Sequence, residues 1–190
     1  MMLLEYLAPA AGVLALIVAL YLAWWVKSFP LGTSGMKEIY DAIRLGSKSY
    51  LKRQYKTILI IAGVLAIILY TTFDVSHYRW LPRTAFAFLL GAAFSMLAGY
   101  IAMDVATRAN ARTAYSTRLG LDTPLRLAYA GGLVMGLFNV GLSLMAVTIL
   151  YYLYGQNPAE IVALGFGASL SALFAQLGGG IYTKAADVGA

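Results

Sequence analysis

The residues of this chain best placed to do chemistry are Lys184 and Asp187, in the stretch GFGASLSALFAQLGGGIYTKAADVGA from Gly165 to Ala190. Residues three apart are neighbours on a helix, so an ammonium and a carboxylate would stand side by side. Such a pair suits a phosphate-plus-metal site, where the carboxylate holds the cation and the ammonium offsets anionic oxygen. At roughly 100° per residue, Ser169, Gln176, Gly180 and Asp187 fall within about 20° of one face, with Thr183 beside them. From Ser169 to Asp187 is about 27 Å at 1.5 Å per residue, close to the thickness of a bilayer core. A narrow polar stripe would therefore cross most of a membrane and end on the ionisable pair. A plainer reading also fits: Lys184 snorkels at a membrane boundary, and the three consecutive glycines only let helices approach closely. The pattern alone leaves both open.

The elements that must position these residues are apolar helices. Hydrophobic residues make up 61% of the chain and charged ones 12%, about half the usual charged share of a soluble domain. The expected fold class is an all-α polytopic membrane protein with five spanning helices, at about 3–26, 57–73, 84–103, 126–154 and 159–184. Met1 to Val26 lacks a positive leader and is longer than a signal-peptide core, so it reads as a retained span. Between spans lie two basic segments, 27–56 and 104–126. The first is amphipathic from Met36 onward and continuous with the second span; it suits an anionic lipid surface. Asp74 to Pro82 reads as a short loop.

Within the spans, Gly91, Ser95 and Gly99 form a small-residue seam for close helix contact, as do Gly132 and Gly136. Asn139, inside the fourth span, is expected to hydrogen-bond a neighbouring helix or a water. Asp104 is expected to pair with Arg108, four residues on.

Charge distribution sets the orientation. Seven Lys/Arg lie from Lys27 to Lys56, four from Arg108 to Arg126 and one at Lys184, with only Arg79 and Arg83 on the other side. The positive-inside rule makes the first side cytoplasmic, which puts the amino terminus outside and the Lys184–Asp187 pair inside. A net charge of +6 does not imply nucleic acid when the basic segments are tied to a bilayer. There is no cysteine, which removes disulfides and thiolate metal sites. The one histidine, His77, cannot build a histidine metal site and receives no role.

The wording around the pair is specific. GGGIYTKAADVGA resembles the fifth transmembrane helix of the membrane-integral pyrophosphatases, pumps that couple pyrophosphate hydrolysis to proton or sodium translocation. Gly35-Met36 through Arg53-Gln54-Tyr55-Lys56-Thr57-Ile58 resembles the basic segment entering that family's second helix. Asp104-Val-Ala-Thr-Arg-Ala-Asn-Ala-Arg-Thr-Ala114 is similar to the end of its third helix, and Gly131-Gly132 through Gly136 to the start of its fourth. The resemblance covers nearly the whole chain, in family order.

It implies that Lys184 contacts pyrophosphate, that Asp187 helps coordinate Mg2+, and that Gln176 lies on the ion pathway. It also implies a multi-pass protein of the cell membrane that acts as a homodimer. Two positions depart from the family: Gln176 stands where many members carry an arginine, which puts a charge-relay role there in doubt, and Asp104 where a lysine is common. The family's aspartate-rich stretches, which bind most of the magnesium, are not in these residues. The expectation is an amino-terminal part of a longer helical bundle, or a truncated product, that does not hydrolyse pyrophosphate alone. Two alternatives compete with it, a non-catalytic five-helix membrane scaffold and a small transporter using the polar stripe. Proton or sodium is left open.

Overall fold

A computed structural model describes residues 2–75, 82–155, 158 and 161–189. His77, Arg79 and Glu160 lie outside the described residues. The elements are α1 (Met2–Ser28), α2 (Ser34–Leu69) running into a π-helical turn (Tyr70–Asp74), α3 (Arg83–Ser116), a 3-10 turn (Thr117–Leu119), α4 (Asp122–Leu153) and α5 (Val162–Gly189). Five helices are long and apolar enough to cross a membrane, with mean hydropathy from 1.4 to 2.2. Each buries only 22–33% of its most apolar window within the chain. Large side chains such as Leu14, Ile60, Ile67, Met135 and Phe166 are exposed. Water would not tolerate that much contiguous apolar surface, whereas lipid does. The chain is a multi-pass integral membrane protein.

The expected joining of the basic segment 36–56 to the second span is observed: both are one helix, α2. Segment 104–126 differs from its reading as a connection. α3 continues as helix to Ser116, and only 117–121 separates it from α4, because Ala106, Ala109, Ala111 and Ala114 favour the helix and no proline or glycine stops it. The stop comes at Gly120, whose φ of +99° is a left-handed conformation that L side chains rarely adopt.

The chain packs as two compact units, Met1–Ser49 with Ala98–Met145, and Tyr50–Leu97 with Ala146–Ala190. The first unit is held by Ala19, Ala23 and Val26 of α1 against Val105 and Ala109 of α3 and Leu127, Ala130, Val134 and Phe138 of α4. Gly12 and Gly141 bring α1 and α4 together: a Cβ on Gly141 would lie 2.7 Å from the Leu16 side chain and 3.0 Å from the Gly12 carbonyl. The expected small-residue pair is thus misplaced by a few residues. Gly132 and Gly136 have nothing within 4 Å, because they lie on the exposed side of α4. Asn139 is exposed on the same helix and makes no hydrogen bond to another helix among the described residues; of the two partners expected for it, a neighbouring helix or a water, the first is not found there.

The second unit is centred on Ala62 and Ala66 of α2, Ala87, Phe88 and Ala92 of α3, Leu150 of α4 and Leu164 of α5. Among them, α3 and α5 cross in backbone contact. A Cβ on Gly91 would stand 2.0 Å from the Leu164 carbonyl, and one on Gly167 would stand 1.8 Å from the Phe88 carbonyl. The seam at Gly91 therefore packs as expected, with Gly167 as its counterpart. Asp74 corrects another expectation. It is not an open loop residue but is only 3% exposed, accepting hydrogen bonds from the Thr84 and Ala85 amides at 3.0 and 3.1 Å. These are orphan donors of the first turn of α3, so Asp74 caps that helix.

Candidate functional site

α5 carries the candidate residues, and its two faces differ. One face is packed. Besides the Gly167 crossing, the buried Ser171 hydroxyl donates to the Ala92 carbonyl at 3.2 Å. From α2, the Gln54 side-chain amide donates to the Phe174 carbonyl, and the Tyr50 hydroxyl donates to the Ala175 carbonyl at 3.4 Å. The Tyr50 and Tyr182 rings lie 5.2 Å apart, tilted by 39°. An open, mostly apolar cavity of about 330 Å³ lies between these helices, bordered by Arg53, Thr57, Leu177 and Ile181.

The other face is bare. Ser169, Gln176, Gly180, Thr183, Lys184 and Asp187 are all exposed. This is the face that the sequence periodicity assigns to the polar stripe, and none of the described residues covers it. The Thr183 hydroxyl turns back to the Gly180 carbonyl at 3.1 Å, a local bond of the kind helical threonines make. Lys184 and Asp187 form no ion pair with each other or with any described residue. The expected juxtaposition is present in register, but the ammonium and carboxylate do not neutralise one another. Two unpaired opposite charges three residues apart on one helix can meet a ligand that itself carries both signs, an anion with its cation. Asp187 is a lone carboxylate: among the described residues there is no group of three or more His, Cys, Asp or Glu side chains that could hold a metal ion.

The other charged cluster, in the first unit, is closed on itself. Asp104 receives Arg108 at 2.7 and 3.2 Å, as expected, and also Arg44 at 2.8 Å. Asp104 lies just past the apolar run that ends at Met103. Burial pushes its carboxyl upward, but hydrogen bonds from Arg108 and Arg44 outweigh it and hold the group below its ordinary value. Arg112, only 7% exposed, donates to the carbonyls of Phe29 at 2.9 Å, Arg108 at 2.9 Å and Lys27 at 3.5 Å. It caps the carboxyl end of α1, each of its three nitrogens donating to a backbone carbonyl. Gly32 turns the chain here with φ +103°, and a Cβ on it would meet the Tyr115 ring at 2.7 Å.

Sequence reasoning missed Tyr50 and Gln54. Their signal was an i, i+4 pair of hydrogen-bonding side chains, which share one helix face; Tyr50 was counted instead among the apolar positions of α2.

The chain matches the family model of the inorganic H+ pyrophosphatase over residues 13–190. It is 47% identical, over 96% of its length, to the K(+)-insensitive pyrophosphate-energized proton pump 2 of Moorella thermoacetica, of which it spans 27%. It is 43% identical, over 98% of its length, to the K(+)-insensitive pyrophosphate-energized proton pump of Methanosarcina mazei, again spanning 27%. A Clostridium tetani protein whose name proposes a K(+)-stimulated pyrophosphate-energized sodium pump is 44% identical over 95% of the chain, with 26% of that protein covered. The chain thus spans about a quarter of the length of these relatives. The match over residues 13–190, with relatives 43–47% identical along nearly the whole chain, shows that this chain belongs to the inorganic H+ pyrophosphatase family.

Proposed function

We propose that this chain supplies part of a pyrophosphate-energised ion pump, in which α5 brings Lys184 and Asp187 to the substrate. The observation that carries this reading is the asymmetry of α5, one face locked by α2 and α3 and the other presenting an uncovered polar stripe. A polar stripe facing lipid is unfavourable, so the face is suited to line an aqueous site or path with further helices of the pump. The excess of Lys and Arg in 27–56 and 104–126 supports a cytoplasmic position for the Lys184 end.

On this reading the Lys184 ammonium holds phosphoryl oxygens of pyrophosphate by charge-assisted hydrogen bonds. Asp187 would hold Mg2+, which when bound draws off the charge of the phosphoryl oxygens. A single carboxylate fits this ion, since magnesium keeps several waters and substrate oxygens rather than filling a protein cage. Gln176, about three turns from Asp187, is a neutral amide. It can order water or an ion along the stripe but carries no transferable charge of its own. The pump would act as a homodimer, as the resemblance implies.

The test is reconstitution of the full-length polypeptide that contains these residues into vesicles, supplied with magnesium pyrophosphate. Expected are phosphate release and a gradient, read in parallel as lumenal acidification and as 22Na+ uptake. Relatives named for either ion match almost equally well, so the two readouts decide between them. Absence of phosphate release would overturn the reading.

A further inference from the structure

We propose that Tyr50 and Gln54 of α2 are positioning residues that set where Lys184 and Asp187 stand, by bracing α5 across its glycine run Gly178–Gly180. This rests on the pump reading above. Glycine is among the weakest helix formers, and three in succession make a compliant segment inside α5. Packing does not account for all three, since a Cβ on Gly179 or Gly180 would meet nothing within 4 Å. Gly178 differs: a Cβ there would lie 2.0 Å from Gln54 Oε1 and 2.6 Å from the Tyr50 hydroxyl. That glycine is the gap through which α2 reaches the backbone of α5.

The contacts fall on both sides of the run. Gln54 and Tyr50 donate to the carbonyls of Phe174 and Ala175, which within a regular helix already accept from the amides of Gly178 and Gly179. A carbonyl has two lone pairs, so the side chains add a second bond that fixes carbonyl tilt without breaking the helix. Beyond the run, the Tyr50 ring leans on the ring of Tyr182 at 5.2 Å. Tyr182 is two residues before Lys184. One side chain therefore spans the compliant segment, tied before it by its hydroxyl and after it by its ring. Between Ala175 and Lys184 lie about 14 Å of helix at 1.5 Å per residue, enough lever for a small change of bend at the glycines to displace both charges.

These 190 residues hold no cysteine, so in a full-length polypeptide cleared of any other cysteine, two introduced thiols report on this segment alone. Spin labels on Leu59→Cys in α2 and Val188→Cys in α5, both exposed, report the distance across the brace by pulsed EPR. The parent should give one narrow distribution. Tyr50→Ala and Gln54→Met should broaden it, and Tyr50→Phe, which keeps the ring contact, should lie between. In hydrolysis assays of the full-length polypeptide, Tyr50→Ala and Gln54→Met should raise the KM for magnesium pyrophosphate about tenfold, with kcat changed less than threefold. Label distances unchanged in Tyr50→Ala and Gln54→Met would overturn the brace. Broadened distances with an unchanged KM would overturn its role in the site. Failure of the unsubstituted protein to hydrolyse pyrophosphate would instead sink the pump reading, and the EPR measurement would still decide whether α5 is braced.

Discussion

Two groupings of charge in this chain look alike in one dimension and differ in three. Asp104 and Arg108 stand four apart in the first unit, and Lys184 and Asp187 three apart in the second, each an acid and a base within one helical turn. In the first, Arg108 and Arg44 close on Asp104 within 2.8 Å, and the nearby Arg112 is spent on backbone carbonyls. In the second, both groups are exposed and unpaired. Charges whose partners lie in the same fold act as structure, whereas charges left unpaired on the bare face of a packed helix are available to a ligand. The charges alone are a poor guide to function, and their partners decide it.

This contrast can be tested by removing one charge at a time. The largest effect is expected at the open pair. Lys184→Ala or Asp187→Asn in the full-length polypeptide should lower kcat/KM for magnesium pyrophosphate by about a hundredfold or more, the usual scale for a preorganised charge at a phosphoryl or acyl centre. The unfolding midpoint should not move. Loss of stability in place of activity would put this pair in the same class as Asp104.

Next comes Arg112→Ala, which strips three backbone carbonyls of a buried donor and should cost about 2 to 3 kcal/mol of stability, read by thermal or denaturant unfolding in detergent.

Asp104→Asn should follow at about 1 to 2 kcal/mol near neutral pH, with pyrophosphate turnover retained. Its sign with pH is fixed by linkage. Asp104 is held below its ordinary value of 3.8, so its contribution is complete above that value and is lost as pH falls through the lower folded-state value. The difference in stability between parent and variant should therefore vanish in strong acid. Persistence of the difference there would show that Asp104 acts through packing rather than charge.

The smallest effect belongs to Asp122→Ala. Its bridge to Arg126 at 3.1 Å is 71–78% exposed, and such pairs contribute less than about 0.5 kcal/mol. A larger loss would blur the distinction between closed and solvated pairs.

How much of this was legible beforehand depends on the range of each interaction. The apolar runs were readable because each span carries its own composition, and the continuity of 36–56 with the second span followed from uninterrupted helical spacing. The Asp104–Arg108 pair was readable because i, i+4 geometry is local. Asp74 was misread because the amides it caps belong to residues ten and eleven positions on, beyond a proline that signals a turn. The glycines of α4 were misjudged for a related reason. Spacing shows that small residues recur, but only a neighbour shows which face they occupy, and Gly141, not Gly132 or Gly136, meets α1.

By itself the sequence determined five membrane-length apolar segments, the register of the polar stripe on the last of them, and the adjacency of Lys184 and Asp187. All of these follow from covalent spacing on a 1.5 Å helical rise. Only the tertiary structure decided that the stripe is the uncovered face, that Arg44 joins Arg108 on Asp104, and that Tyr50 and Gln54 brace α5. Those contacts join residues 60, 120 and 125 positions apart. At such separations no local periodicity constrains the partners, and the packing of small residues between helices chooses them.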